Sequence, residues 1–487
     1  MSTSTFELFP DPAPAPSPIS PFRWAGISPQ TTAALRETLQ ANHEKWHLFF
    51  NDRRFHNHGA HAIIAAWALG ADADIIRAVY QHSADYQRPA FKSPAPITAQ
   101  NFNEHLGKVE YYSSYLEFFK GEVQAKGFSS VLEEYVFAEK SNFAGGAQPQ
   151  MLNRFMSGVI HPLIYMGYGA EFGLPGMIIE GLAQTAVHEV EATKLIPPSA
   201  FSPATSEHNL ITRLASVLVL DNLPVSKAST TPGVHAFTIL ARLLKDPKFD
   251  VKKIGKSSDF GYLVDNLGEP LLKVLDDWVV DASDPKVVEK KIEEIIFTNV
   301  LLYAVPGWKE GQDFKANFFT MHLVTSALFL PSLVPYLRPA SQGLLLKSYF
   351  AFSLAWYLSQ GAPALDIPGF FAADTLHPSQ PGTRPTPWEG ALGSPAAASN
   401  PNPWFPIIQN SIISPDEHVP KIQRALAHYS AIYGSRRAGE GDLKDTELED
   451  ADKVDGSLFI RAAGLTDKRM GRIHSGEKAN DFWDREF

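Results

Sequence analysis

Apolar residues recur at i, i+3 and i+4 through Asp72–His82, Val109–Lys120, Met151–Glu171, Gly176–Thr193, Glu207–Leu220, Val234–Leu244 and Ser341–Gln360. That period puts them on one face of a helix, so each segment reads as an amphipathic or buried helix. No sustained alternation marks strands, and the expected class is all-α: one large helical body over residues 22–487. Proline interrupts it in two places. The first 21 residues hold six prolines and read as an extended arm. Another eight fall between Leu376 and Pro406, marking a Pro-rich insertion. Residues 435–456 are charged and Gly-containing and read as a surface loop, whereas the closing FWDREF carries aromatic residues that predict a tail docked on the body.

Two segments predict helical hairpins with chemistry on them. In VIHPLIYMGYGAEFGLPGMIIEGLAQTAVH, His161 and His188 lie equally far from the GLPG turn at residues 173–176. Equal rise along both arms brings them to one level. Pro162 signals a break or a helix start beside His161. In the second segment, His322 and Lys347 are equally spaced about the connection at residues 331–339. FHNHGAH adds His58 and His61 one turn apart, able to share a face, with Asn57 placed to cap the helix they start. Level is not facing, however, and each of these residues also has a structural reading. A buried histidine commonly serves the core, and a lysine in an apolar helix commonly reaches for solvent.

Composition narrows the chemistry. With 16 His and no Cys among 487 residues, a disulfide framework, a thiolate metal site and a cysteine nucleophile are excluded, and any metal must be held by nitrogen and oxygen. Lys+Arg total 43 against 53 Asp+Glu, a net charge of −10, which gives no reason to expect nucleic acid as a partner. The most apolar run, Phe318–Val334, contains His322, Thr325 and Ser326 and is short for a membrane span. The start of the chain lacks the basic n-region and apolar core of a secretory signal, so the expected location is cytoplasmic, with no membrane partner. Gly167, Gly169 and Gly173 imitate a dinucleotide fingerprint, but no strand precedes them.

Neutral imidazoles with one anionic oxygen donor suit non-haem iron. Burial favours the neutral amine of a lysine, which can add carbon dioxide and become a carbamate. Lys347, after three leucines and level with His322, is the candidate lysine. Glu171 and Glu180 near the GLPG turn are candidates for orienting ligand N–H groups, with solvated helix ends as the alternative. His43, His82, His377 and His474 read as unrelated to the site.

HNHGAHAIIAAWALGAD, the His161–His188 hairpin, FFTMHLVTSALFLPSLVPYL and SLFIRAAGLTDKRM together resemble the questin oxidase-like family of fungal polyketide pathways, over about residues 40–487. The resemblance implies oxygenation of an anthraquinone-type polyketide, with dioxygen as co-substrate and cleavage of a ring carbon–carbon bond in secondary metabolism. One branch implies a non-haem Fe(II) dioxygenase with four histidines and a carboxylated lysine. On this sequence those ligands fall on His58, His161, His188, His322 and Lys347, with His61 as substitute and Lys315 as the other lysine close in sequence to His322. The aromatic substrate so implied would lie beside the metal, with Tyr165, Tyr168, Tyr303, Trp308 and Trp356 as pocket candidates, although aromatic residues at helical spacing commonly serve the core. Other members imply an NADPH-consuming Baeyer–Villiger oxidase. A metallohydrolase and a non-enzymatic all-α scaffold are the remaining readings.

Overall fold

The computed structural model describes residues 6–13, 23–144, 148–201, 233–254, 258–376, 390, 402–470 and 482–487. The expected helix over residues 207–220, His377, His474 and most of the Pro-rich insertion lie outside these residues. Among the described residues the fold is all-α, with three isolated bridges and no strand. The expected helices are present with shifted ends. Asp72 caps Ala73–Ala84 by accepting from the Asp74 and Ile75 N–H groups, and a 3-10 turn at Val109–Tyr111 leads into Tyr112–Lys126.

The GLPG hairpin forms as Met151–Phe172 and Pro175–Val187, turning at Gly173. The glycines of this hairpin serve close approach, not a cofactor. A Cβ on Gly169 would meet Ile178 Cγ1 at 2.5 Å, and one on Gly167 would meet the Phe329 ring at 2.3 Å. The first arm is interrupted at Ser157–Ile160, where Gly158, Val159 and Ile160 all take left-handed dihedrals. For two β-branched residues this costs on the order of 1–3 kcal/mol each. The chain leaves that turn at His161, with Pro162 restarting the helix.

Four helical segments close a cycle around the centre of the molecule. Gly59–Ala68 packs on Met151–Phe172 and on His418–Tyr433, and both of these pack on Phe318–Ala327. Phe318–Tyr336 is long and apolar enough to cross a membrane by length and composition alone, yet 78% of its apolar window is buried inside the protein. Its apolarity serves the core.

Both ends of the chain pack back. Phe9 is buried against Gly176 and His43, and Arg36 holds the arm through the Phe9 carbonyl, Glu7 and Asp11. The charged loop at residues 435–456 buries Leu443, Ala451 and Val454, which pin it to the body. Pro406 lies in the first turn of Trp404–Ile412, where a missing N–H is tolerated, so that helix begins inside the Pro-rich stretch.

Candidate metal centre

Each of the four central segments contributes one imidazole. His58 leads into the first, His161 follows the left-handed turn in the second, His322 lies in Phe318–Ala327, and His418 opens His418–Tyr433. Their rings form a closed quadrilateral. Centroids lie 4.9 Å apart for His58 and His161, 5.0 Å for His161 and His322, 5.2 Å for His322 and His418, and 4.6 Å for His418 and His58. All four are buried.

The hydrogen bonds at Nδ1 decide what the other nitrogen can do. His58 Nδ1 donates to Glu417 Oε1 at 2.9 Å and His161 Nδ1 donates to the Gly158 carbonyl. His322 Nδ1 donates to the Phe318 carbonyl at 2.7 Å and His418 Nδ1 to Asp416 Oδ1 at 3.2 Å. In a neutral imidazole, a proton on Nδ1 leaves the lone pair on Nε2. His58 and His161 bring those Nε2 atoms within 2.7 Å of each other, while Nε2 of His322 and of His418 is buried with no partner among the described residues.

Protonation does not relieve this crowding of lone pairs. Burial, then the neighbouring charges, holds His58, His161 and His322 well below the usual imidazole range, so all three stay neutral. A cation would relieve it. With metal–nitrogen distances of about 2.0–2.1 Å, two ligand nitrogens at right angles, as in six-coordinate geometry, stand about 2.9 Å apart. The four carbonyl and carboxylate acceptors at Nδ1 are the partners that fix ligand histidines elsewhere.

One turn beyond His418 on the same helix stands Lys421, 3% exposed, its Nζ without a partner among the described residues. Burial pushes its ammonium down to about 8, against the opposing charges of Glu417 and Asp416. It acts electrostatically on His56, His58, His61, His161 and His322.

The structure therefore assembles His58, His161 and His322 but not the expected lysine. Lys347 is half-buried on Pro339–Ser359, with no hydrogen bond or ion pair among the described residues. Tyr349, two residues on, faces the His322 helix through Leu323 O and Ser326, and also accepts from Asn299 of the helix Pro285–Gly307. Two residues of helix are about 200° of rotation, which turns Lys347 away. Lys315 reaches the tail residue Asp484 instead.

His188 is also displaced. Its helix ends at Val187, and its Nε2 meets His56 Nε2 at 2.8 Å, outside the quadrilateral. His56 stacks on His161 with centroids 4.0 Å apart, so the His56–His188 pair backs the ring. His61 is fully buried beside His58, His161, Tyr165 and Tyr168, with both nitrogens unpartnered among the described residues.

Of the aromatic candidates, Tyr165 and Tyr168 flank the cluster. Tyr303 bonds Thr466, Trp308 packs on Phe370, and Trp356 is sandwiched between Phe260 and Phe319. Glu171 pairs with Arg424 and Glu180 with His43, so neither orients a ring of the quadrilateral. Asn57 does satisfy a helix N–H, that of Gly59, although His58 holds the cap position. His82 is exposed.

A second group of candidate ligands, His235, Glu294 and Asp442, lacks the free lone pair. His235 Nδ1 accepts from the Phe237 N–H, and its Nε2 faces Asp442, itself held by Lys290 and Arg436.

Sequence comparison agrees with the resemblance. The sequence model of the questin oxidase-like family matches residues 55–426. The chain belongs to the questin oxidase-like family. Among its relatives, a Baeyer–Villiger oxidase of Pestalotiopsis microspora is 31% identical over 348 residues, 68% of this chain and 71% of that one. Questin oxidase of Aspergillus terreus is 24% identical over 421 residues, 84% and 83% of the two chains. A Baeyer–Villiger oxidase of Emericella nidulans is 25% identical over 446 residues, 90% and 87%. Membership of the questin oxidase-like family makes the chain an oxidoreductase.

Proposed function

We propose that this chain is an iron-dependent oxygenase that cleaves a ring carbon–carbon bond of an anthraquinone-type polyketide, with dioxygen as co-substrate. The observation carrying the reading is the closed ring of four buried imidazoles, each bonded through Nδ1 to an oxygen acceptor, beside the buried Lys421, whose Nζ has no partner among the described residues. Four imidazoles bring no negative charge, and a carbamate would supply it. The neutral Lys421 amine adds to carbon dioxide, a nitrogen–carbon bond forms, and one proton leaves, turning a buried cation into an anionic oxygen donor. An ammonium lowered to about 8 leaves about a tenth of the amine neutral at pH 7.

His58, His161, His322, His418 and the Lys421 carbamate would hold Fe(II), with His61 as the alternative nitrogen donor. The metal would supply activation of dioxygen toward an electron-rich ring. The protein's part is positional. Glu417, Asp416 and the carbonyls of Gly158 and Phe318 fix the rings, and Tyr165 and Tyr168 with the surrounding core keep water out. Five protein ligands leave one open position in six-coordinate iron, so the aromatic substrate would lie beside the metal.

The relatives' names, questin oxidase and Baeyer–Villiger oxidase, support a polycyclic aromatic substrate. They also support a second reading, an NADPH-consuming Baeyer–Villiger oxidation. One experiment separates the two: dioxygen uptake with questin as substrate, with NADPH present or omitted, on protein of known iron content. The proposal expects about one iron per chain and uptake without NADPH. Full activity in iron-free protein would overturn it.

A further inference from the structure

The C-terminal tail lies beyond the residues matched by the family, yet it holds two of the four imidazoles. Trp483 Nε1 donates to Asp416 Oδ2 at 3.1 Å, while the other oxygen of that carboxylate takes the His418 Nδ1–H at 3.2 Å and the His418 backbone N–H at 2.8 Å. Asp484 grips the opposite support. Its carbonyl accepts from the Phe318 N–H at 2.7 Å, and the Phe318 carbonyl in turn takes the His322 Nδ1–H.

Asp484 is anchored in its own right. Its N–H donates to Ala316 O at 2.9 Å, and its carboxylate accepts from Ala316 N–H and from Arg469 through Nε and Nη2. Arg485 covers the Phe318 ring at 5.3 Å, and that ring lies 4.6 Å from His322 and 5.3 Å from His418. Trp483 is 7% exposed and its ring stands 6.1 Å from His418.

We infer that Trp483 and Asp484 are positioning residues of the metal centre: the tail is a strap that fixes the Nδ1 acceptors of His418 and His322 and thereby the direction of both Nε2 lone pairs. This rests on the reading of the four imidazoles as ligands. Partners that orient ligand histidines are worth about 10–100-fold in metal affinity, and a tail that merely covered the core would contribute to stability alone.

The test titrates the full-length protein with Co(II), read by its visible absorption and by chelator competition, alongside urea melts of the metal-free protein. Trp483→Phe keeps the ring and removes the donor; Asp484→Ala removes the anchoring carboxylate. The expected result is that Co(II) binds Trp483→Phe about 10-fold or more weakly, with a shifted spectrum and a nearly unchanged metal-free melt. Tyr115→Phe, which deletes a buried hydrogen bond to Phe102 O remote from the imidazoles, should lose stability and keep wild-type affinity. If Asp484→Ala fails to fold, Trp483→Phe carries the test alone. Wild-type affinity in a folded Trp483→Phe overturns the strap and leaves the metal centre standing. Failure of the wild-type chain to take up Co(II) overturns both.

Discussion

His58 Nε2 and His161 Nε2 lie 2.7 Å apart, and neither nitrogen carries a proton, because Glu417 and the Gly158 carbonyl hold the Nδ1 hydrogens of the two rings. Two buried lone pairs at that distance repel each other, and a divalent cation turns the repulsion into shared coordination. Adding Fe(II) or Co(II) to chelator-treated protein should therefore raise its melting temperature in proportion to ln(1 + [M]/Kd). His161→Ala should lower metal affinity at least 100-fold while the metal-free protein still melts cooperatively. A melting temperature indifferent to both metals would contradict the assignment.

The two lysines give opposite expectations. Lys421 is buried against the imidazoles with no partner among the described residues, whereas Lys347 sits half-buried on a helix whose Tyr349 takes the inward position. Lys421→Ala should abolish bound iron and dioxygen uptake, with acetate or formate restoring part of both by standing in for the carbamate oxygens. Lys347→Ala should keep wild-type iron content. The reverse pattern, measured by elemental analysis of the two variants, would return the fifth ligand to Lys347.

Gly158 is held where no other residue fits well. Its φ of +58° lies in the left-handed region, and a Cβ there would approach His188 Cε1 at 2.4 Å and His56 Cε1 at 2.9 Å. Its carbonyl orients His161, and its N–H donates to Glu191. Gly158→Ala should cost about 2–4 kcal/mol in urea denaturation, combining the dihedral penalty with the clash. It should also weaken metal binding, because the displaced rings are His188 and His56, the latter stacked on His161. A variant of wild-type stability would show that this turn relaxes freely.

Much of this centre was legible in the sequence, for physical reasons that also set the limit. The 3.6-residue period announced the helices, and the His58, His161 and His322 segments stood out because histidines interrupt apolar faces. The hairpin symmetry fixed levels along the axes but not rotation about them. That is why His188, just past a helix end, meets His56 instead of the quadrilateral, and why the lysine buried beside the imidazoles is Lys421 and not Lys347. His418 and Lys421 do share the one-turn spacing of His58 and His61. Their segment, SPDEHVPK, reads as a polar, proline-flanked connection, and only the tertiary path brings it between Gly59–Ala68 and Phe318–Ala327. The second-row acceptors were harder still, since two of the four are backbone carbonyls and carry no residue-type signal.

His235 offers a prediction about pH that is independent of the metal centre. Its Nδ1 caps the Ala236–Lys245 helix by accepting from the Phe237 N–H, a role only the neutral ring can fill. Burial pushes it down to about 3, against the favourable charge of Asp442. Between about 6.5 and 3 the unfolded chain binds this proton and the folded chain does not. Its contribution is therefore complete above pH 6.5 and is lost as pH falls through that window, about 2 kcal/mol by pH 5. His235→Asn keeps a capping oxygen and removes the titration. Urea denaturation at pH 7 and pH 5 should show the variant losing about 2 kcal/mol less than the wild type over that interval. Equal losses would mean that the His235 ring takes up its proton without leaving its place at the cap.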